Sequence, residues 1–385
     1  MSIPKTATTV LGACAVAVAL ALALGAGRAS KGASLGPSSA ARIRPAVAVA
    51  VVAPQASGPP SAAVRASAPA KKRAKPRPSP VEKAAADEAL CRRAAAVGPD
   101  GSGAVEASPA DDAAILAAER RIDAELRGSS DPFSQAVAAW LEPIDASSEL
   151  RQRQERLARL AATTTDARVY ALAYRECTKG DEDESAPGCR TLSARQWAQL
   201  DRGNALPWVY VLGDATVHGD LAARDDALYQ IASSSRFEER SFAPAQVILE
   251  HAGPDGVGLV AANALVSQAS GLTSTQTMPI YALLSTCHGG GEDDGSEASP
   301  CAGTVELLVR HSDSMALRRI GGAMDFAMTG DTSRRDRLRD ESRRLGTVPS
   351  PRETGGCASL REAQDFQRRA GEIGEVAALR ERASY

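Results

Sequence analysis

The stretch WAQLDRGNALPWVYVLGDATVHGDLAARDDALYQIA, residues 197–232, decides how the chain folds. Its apolar residues fall at helical steps, and Gly219-Asp220 interrupts them. A glycine suits the left-handed residue that closes a helix, and an aspartate suits the N-cap of the next. The spacing therefore predicts helices over 206–218 and 221–233 that fold back on one another across a short turn. Trp208, Val211, Leu212, Leu228 and Ile231 then fill the groove between the paired helices.

The pattern recurs. Phe242 and Gly253 repeat the spacing of Trp208 and Gly219 at a distance of 34 residues, and Met278 and Gly289 begin a third unit after a further 36. With the lead-in Leu200-Asp201-x-x-Asn204-Ala205, the stretch resembles a tetratricopeptide helical hairpin, whose period is 34 residues. The resemblance covers residues 197–290. It implies an all-α array of antiparallel hairpins, an α-solenoid, whose concave side serves protein interaction.

The rest of the body reads the same way. Beyond residue 80 the chain is rich in Ala, Leu, Arg, Glu and Asp, and only 4% of all residues are aromatic. Helices are expected over 82–97, 110–127, 132–142, 148–162, 166–178, 193–202, 243–252, 257–269, 275–287, 302–311, 314–329, 332–345 and 359–383, the last broken near Gly371 to Gly374. Ser108-Pro109, Ser130-Asp131-Pro132 and Ser193 supply helix-start signals.

Two hydrophilic excursions interrupt the helices, and cysteines bracket both. Cys177 and Cys189 enclose TKGDEDESAPG, and Cys287 and Cys301 enclose HGGGEDDGSEASP. The text before each is alike, VYALAYREC at 169–177 against IYALLSTC at 280–287. With Cys14 of the apolar run set aside, six cysteines allow 15 pairings; the simplest is two local disulfides, with Cys91 and Cys357 left to join across the body. Zinc fits poorly, because structural zinc sites favour Cys or His pairs two to four residues apart and these are 12 and 14 apart.

Other chemistries lack their partners. His288-Gly-Gly-Gly resembles a hydrolase oxyanion segment, yet the only G-x-S-x-G, at Gly32 to Gly36, lies in the N-terminal linker and no sheet is expected. His218, His251, His288 and His311 form no metal motif, and His218 and His251 sit near helix C-termini, where an imidazolium suits the dipole. The acidic runs Asp181–Glu184 and Glu292–Asp294 lack the ligand spacing of a calcium loop. The arginine-rich TSRRDRLRDESRRL, 332–345, interleaves acids at helical spacing and reads as an exposed face laced with ion pairs. Glu238, Glu239 and Arg240 read as an exposed helix start, or as carboxylates for an enzyme of an unrecognised helical class acting on cell-envelope material. No catalytic, cofactor or metal residue is assigned.

Charge divides the chain in two. Residues 1–81 hold 11 basic and no acidic residues, which leaves 34 basic against 47 acidic, a net of −13, in residues 82–385. An acidic body argues against nucleic acid, which needs a clustered positive surface. The uncharged run Val10–Leu24, within residues 1–27, suits a signal peptide or a signal-anchor. Residues 28–80, rich in Ala, Pro and basic side chains, cannot bury enough apolar surface to fold and read as a disordered tether. Residues 81–385 are the helical body. This layout resembles that of bacterial TonB-like and TolA-like envelope proteins. Arg28, Lys31, Arg42 and Arg44 after the apolar run favour a cytoplasmic body by positive-inside counting, whereas paired cysteines favour an oxidising compartment. The expectation is an inner-membrane protein with a periplasmic body, or a periplasmic one if the signal is cleaved, acting as a scaffold for an unknown envelope protein partner.

Overall fold

The computed structural model describes residues 79–96, 109–144, 146–179, 185–274, 279–289, 299–346 and 355–384. The apolar run, all but the last two residues of the tether, Ser108, Met278, both acidic runs and the side chain of His288 lie outside them. Among the described residues the chain is all-α, with sixteen α-helices and no strand beyond two isolated bridges.

The first five helices are α1 (Pro80–Ala96), α2 (Pro109–Gly128), α3 (Pro132–Trp140), α4 (Ser147–Thr163) and α5 (Ala167–Cys177). A 3-10 turn at Pro187–Thr191 leads to α6 (Ala194–Leu200), α7 (Leu206–His218) and α8 (Leu221–Ala232). Then come α9 (Ala243–Glu250), α10 (Gly256–Ser274), α11 (Ile280–Gly289), α12 (Pro300–His311), α13 (Met315–Thr329) and α14 (Ser333–Leu345). α15 (Gly356–Ile373) and α16 (Glu375–Ala383) follow, and the break between them falls at Gly374.

The helix boundaries have local causes. Asp131 accepts the Ser134 amide at 2.9 Å with Pro132 in the first turn of α3, and Ser193 accepts the Gln196 amide at 3.2 Å ahead of α6. Gly219 ends α7 at φ 68°, a conformation that costs a side chain strain, and Asp220 caps α8 by accepting the Ala223 amide. The segment expected as a helix over 275–287 is helical only from Ile280 among the described residues.

Packing follows the hairpins and then exceeds them. α4 pairs with α5, α7 with α8, α12 with α13, and α13 with α14; α8 rests on α12, and α7 on α6 and α11. α1 packs against α10 and α15, and α9 also against α15, so elements far apart in sequence share a core. Four of the five expected groove-fillers, Val211, Leu212, Leu228 and Ile231, are buried. Trp208 is only partly so and carries the Arg195 guanidinium 5.7 Å from its ring centre; Trp197 is fully buried and packs against Tyr174 and Tyr210.

Charged groups sit inside this core, and one cluster centres on Glu176. Glu176 is fully buried and ion-paired with the buried Arg153; it accepts the Trp140 indole N–H at 3.0 Å, and Lys179 lies 2.9 Å from the same oxygen. Arg153 also donates to the Trp140 carbonyl at 2.9 Å, so α3, α4 and α5 are tied by one compensated cluster.

Three cysteine pairs have their sulfurs joined: Cys91 with Cys357, Cys177 with Cys189, and Cys287 with Cys301, at Cα separations of 4.9, 5.4 and 5.5 Å. The first links α1 to α15, and the other two span the hydrophilic excursions.

Candidate interaction site

Stacked turns at one end of the hairpins organise the polar side chains. Asn204 pairs in parallel with Arg236, and Phe237 in parallel with Ser312. The Ala205 amide donates to the Arg236 carbonyl, the Phe237 amide to that of His311, and the Val376 amide to that of Asp313. Turns from four places in the chain thus form one ladder. Its first step is 32 residues, and the Asn204 side chain clamps it across 34 by accepting the Glu238 amide and donating to the Glu238 carbonyl, both at 3.0 Å.

Asp201, the other polar residue of the lead-in, is buried and draws two arginines over the ladder. Its Oδ1 accepts from Arg236 at 2.6 Å and from Arg240 at 3.2 Å. Arg240 also pairs with Glu238 at 2.8 Å. Asp313 closes the next rung, its two oxygens accepting the amides of Glu239 and Arg240 at 2.9 and 3.0 Å. That grip holds Arg240 at φ 54°, the only described non-glycine residue in the left-handed region. Burial pushes the Asp313 carboxyl up to about 6, helped by Glu239 and Glu238 and opposed by the two amides. Burial likewise raises Glu375, which accepts the Met315 amide at 2.9 Å on the last rung.

Glu238, Glu239 and Arg240 are therefore not an exposed helix start. They are partly buried in the ladder, held by residues 34 to 74 positions away. The cleft they border, with Arg168, Arg175 and Trp197, has a volume of ≈40 Å³. Such a space holds about three waters.

A second concavity is far larger, ≈880 Å³, between the C-terminal end of α12 and α14. α14 contributes Arg334, Arg337, Arg343 and Arg344, and Arg310 and Arg318 come from α12 and α13. Asp340 and Glu341 are the two acids of the groove, so its wall carries a net +4. Val309 and Leu338 supply the apolar wall. The expectation of an ion-paired face holds for part of α14. Arg334 meets Glu306 and Asp325, Arg335 and Arg339 meet Asp336, and Arg343 meets Asp340. Arg337 and Arg344 are exposed and make no ion pair or hydrogen bond among the described residues, although the charge of Arg337 acts on the exposed Asp331 carboxylate.

The histidines stay where helix ends put them. His218 Nδ1 lies 2.8 Å from the Asp214 carbonyl in the last turn of α7, and His251, after α9, faces Glu125 at 3.3 Å. Among the described residues no group of three or more His, Cys, Asp or Glu is placed to hold a metal ion, and no helix is long and apolar enough to cross a membrane. Comparison with family models, with curated proteins and with solved structures finds no match to this chain.

Proposed function

We propose that the chain is a cell-envelope protein whose helical body acts as an interaction scaffold, held near the membrane by its N-terminal apolar segment and basic tether. The observation that carries this reading is the ladder of turns. It joins the turns that precede α7 and α9 through residues 32 apart, with the lead-in residues Asp201 and Asn204 as its clamps; the clamp from Asn204 to Glu238 spans 34 residues, the tetratricopeptide period. Packing of α1 on α10 and α15 adds closure that a simple neighbour-to-neighbour stack lacks. Three joined cysteine pairs favour an oxidising compartment over the cytoplasm.

The carboxylates an enzyme would use are otherwise engaged. Glu238 pairs with Arg236 and Arg240, Glu239 faces Arg175, and both Asp313 oxygens hold backbone amides. This favours binding over catalysis. The test is topology: alkaline phosphatase joined after residue 85 should be active, and the exported body should gain six protons of mass on reduction. An inactive fusion together with six free thiols in residues 81–385 would reverse the compartment and remove the scaffold from the envelope.

A further inference from the structure

Resting on the scaffold reading, we propose that the groove between α12 and α14 docks an extended acidic peptide segment of the partner protein. Its carboxylates pair with Arg337 and Arg344, and its apolar side chains lie against Val309 and Leu338. The body carries a net charge of −13 over residues 82–385, yet this wall carries +4. A surface serving only solubility on an acidic body has no need of such an inversion. An anionic partner has.

Most arginines here already have a partner within the fold. Arg318 is buried and donates to the Val309 carbonyl at 2.5 Å and to Glu341 at 3.0 Å, which fixes one wall of the groove. Arg310 and Arg334 share Glu306. Arg344 has no ion pair or hydrogen bond among the described residues and Arg337 acts only through space on the exposed Asp331; they are seven residues apart, two turns along the same face of α14. Their separation is about 10 Å at 1.5 Å per residue, which an extended chain covers in about three residues. The planar guanidinium presents a fork that matches a carboxylate in two hydrogen bonds.

The same groove argues against a uniform polyanion. Asp340 and Glu341 stand among the arginines and would repel a phosphate at every step, whereas a peptide can set an apolar or neutral residue beside them. A volume of ≈880 Å³ lies within the range of sites that bury a ligand, about 300–1,000 Å³.

The experiment is a fluorescence anisotropy titration of the full chain, disulfides intact, with a labelled peptide of Glu, Val and Ser and a twin carrying Gln for Glu. Saturable binding of the acidic peptide at low salt is expected, together with loss of binding for the Gln twin. The double variant R337Q/R344Q should weaken it about ten-fold, the worth of two exposed ion pairs. Because Arg344 has no ion pair or hydrogen bond among the described residues and Arg337 meets only the field of the exposed Asp331, the variant should melt close to the parent. Three results would overturn the proposal: no saturable binding, equal binding by R337Q/R344Q, or tighter binding of inorganic polyphosphate or of anionic phosphatidylglycerol vesicles than of the peptide. Each leaves the compartment to the phosphatase fusion, so failure of the groove and failure of the scaffold reading are told apart.

Discussion

Asp313 shows how a single residue couples the ladder to pH. Its carboxyl is raised from 3.8 to about 6, so in the range between them the folded chain holds a proton that the unfolded chain has released. Stability from this group is thus fully present below about pH 4 and is lost as pH rises through 6. The side chain is only partly buried, so solvent screens the effect to about 1–2 kcal/mol. D313N has no such titration. Urea denaturation at pH 4, 5.5 and 7.5 should show the wild type losing about 1–2 kcal/mol relative to D313N across that range. A loss in the opposite direction would mean that the Glu239 and Arg240 amides outweigh burial and that Asp313 is a stabilised carboxylate.

At the scale of elements, glycines separate close packing from mere propensity. A Cβ on Gly321 in α13 would stand 2.8 Å from Leu308 Cβ of α12, closer than real side chains approach. G321V should therefore lower stability in urea by about 2 kcal/mol through overpacking. Gly271 in α10 has nothing within 4 Å of the same position, and G271A should raise stability by about 0.5–1 kcal/mol through helix propensity. Equal effects at the two sites would mean that α12 and α13 do not meet as closely as described.

The elements also show what sequence can and cannot carry. The span of α7, the start of α8 and the N-caps at Asp131 and Ser193 were legible, because stop, cap and period are written within a few residues. Asp201 and Asn204 were legible as a repeat lead-in, but not as clamps, since the groups they hold lie 34 to 39 residues away. Glu238, Glu239 and Arg240 look like an exposed helix start in a local window because the Asp313 that grips them comes 73 residues or more later. The same holds for α14. Its charge alternation predicts ion pairs, but which arginines stay unpaired is decided by where α12 and α13 place Glu306 and Asp325.

At the scale of the molecule, the three cysteine pairs are unequal. Cys91 and Cys357 are 266 residues apart, against 12 and 14 for the local pairs, and the cost of closing a loop in the unfolded chain grows with its length. Chain entropy assigns about 5–6 kcal/mol to the long link and about 3 kcal/mol to each short one. The long link also joins α1 to α15, in a cluster with Leu90, Leu259 and Leu360, so its loss should free α1 from α10 and α15 together. C91A/C357A should accordingly show a larger fall in guanidinium stability than C177A/C189A or C287A/C301A, and earlier proteolysis between α1 and α2. In excess reductant the wild type should drop below all three oxidised variants, and the order among them should vanish. A smaller loss for C91A/C357A than for a local pair would place the stability of the body in its hairpins and leave the closing of α1 onto α15 incidental to it.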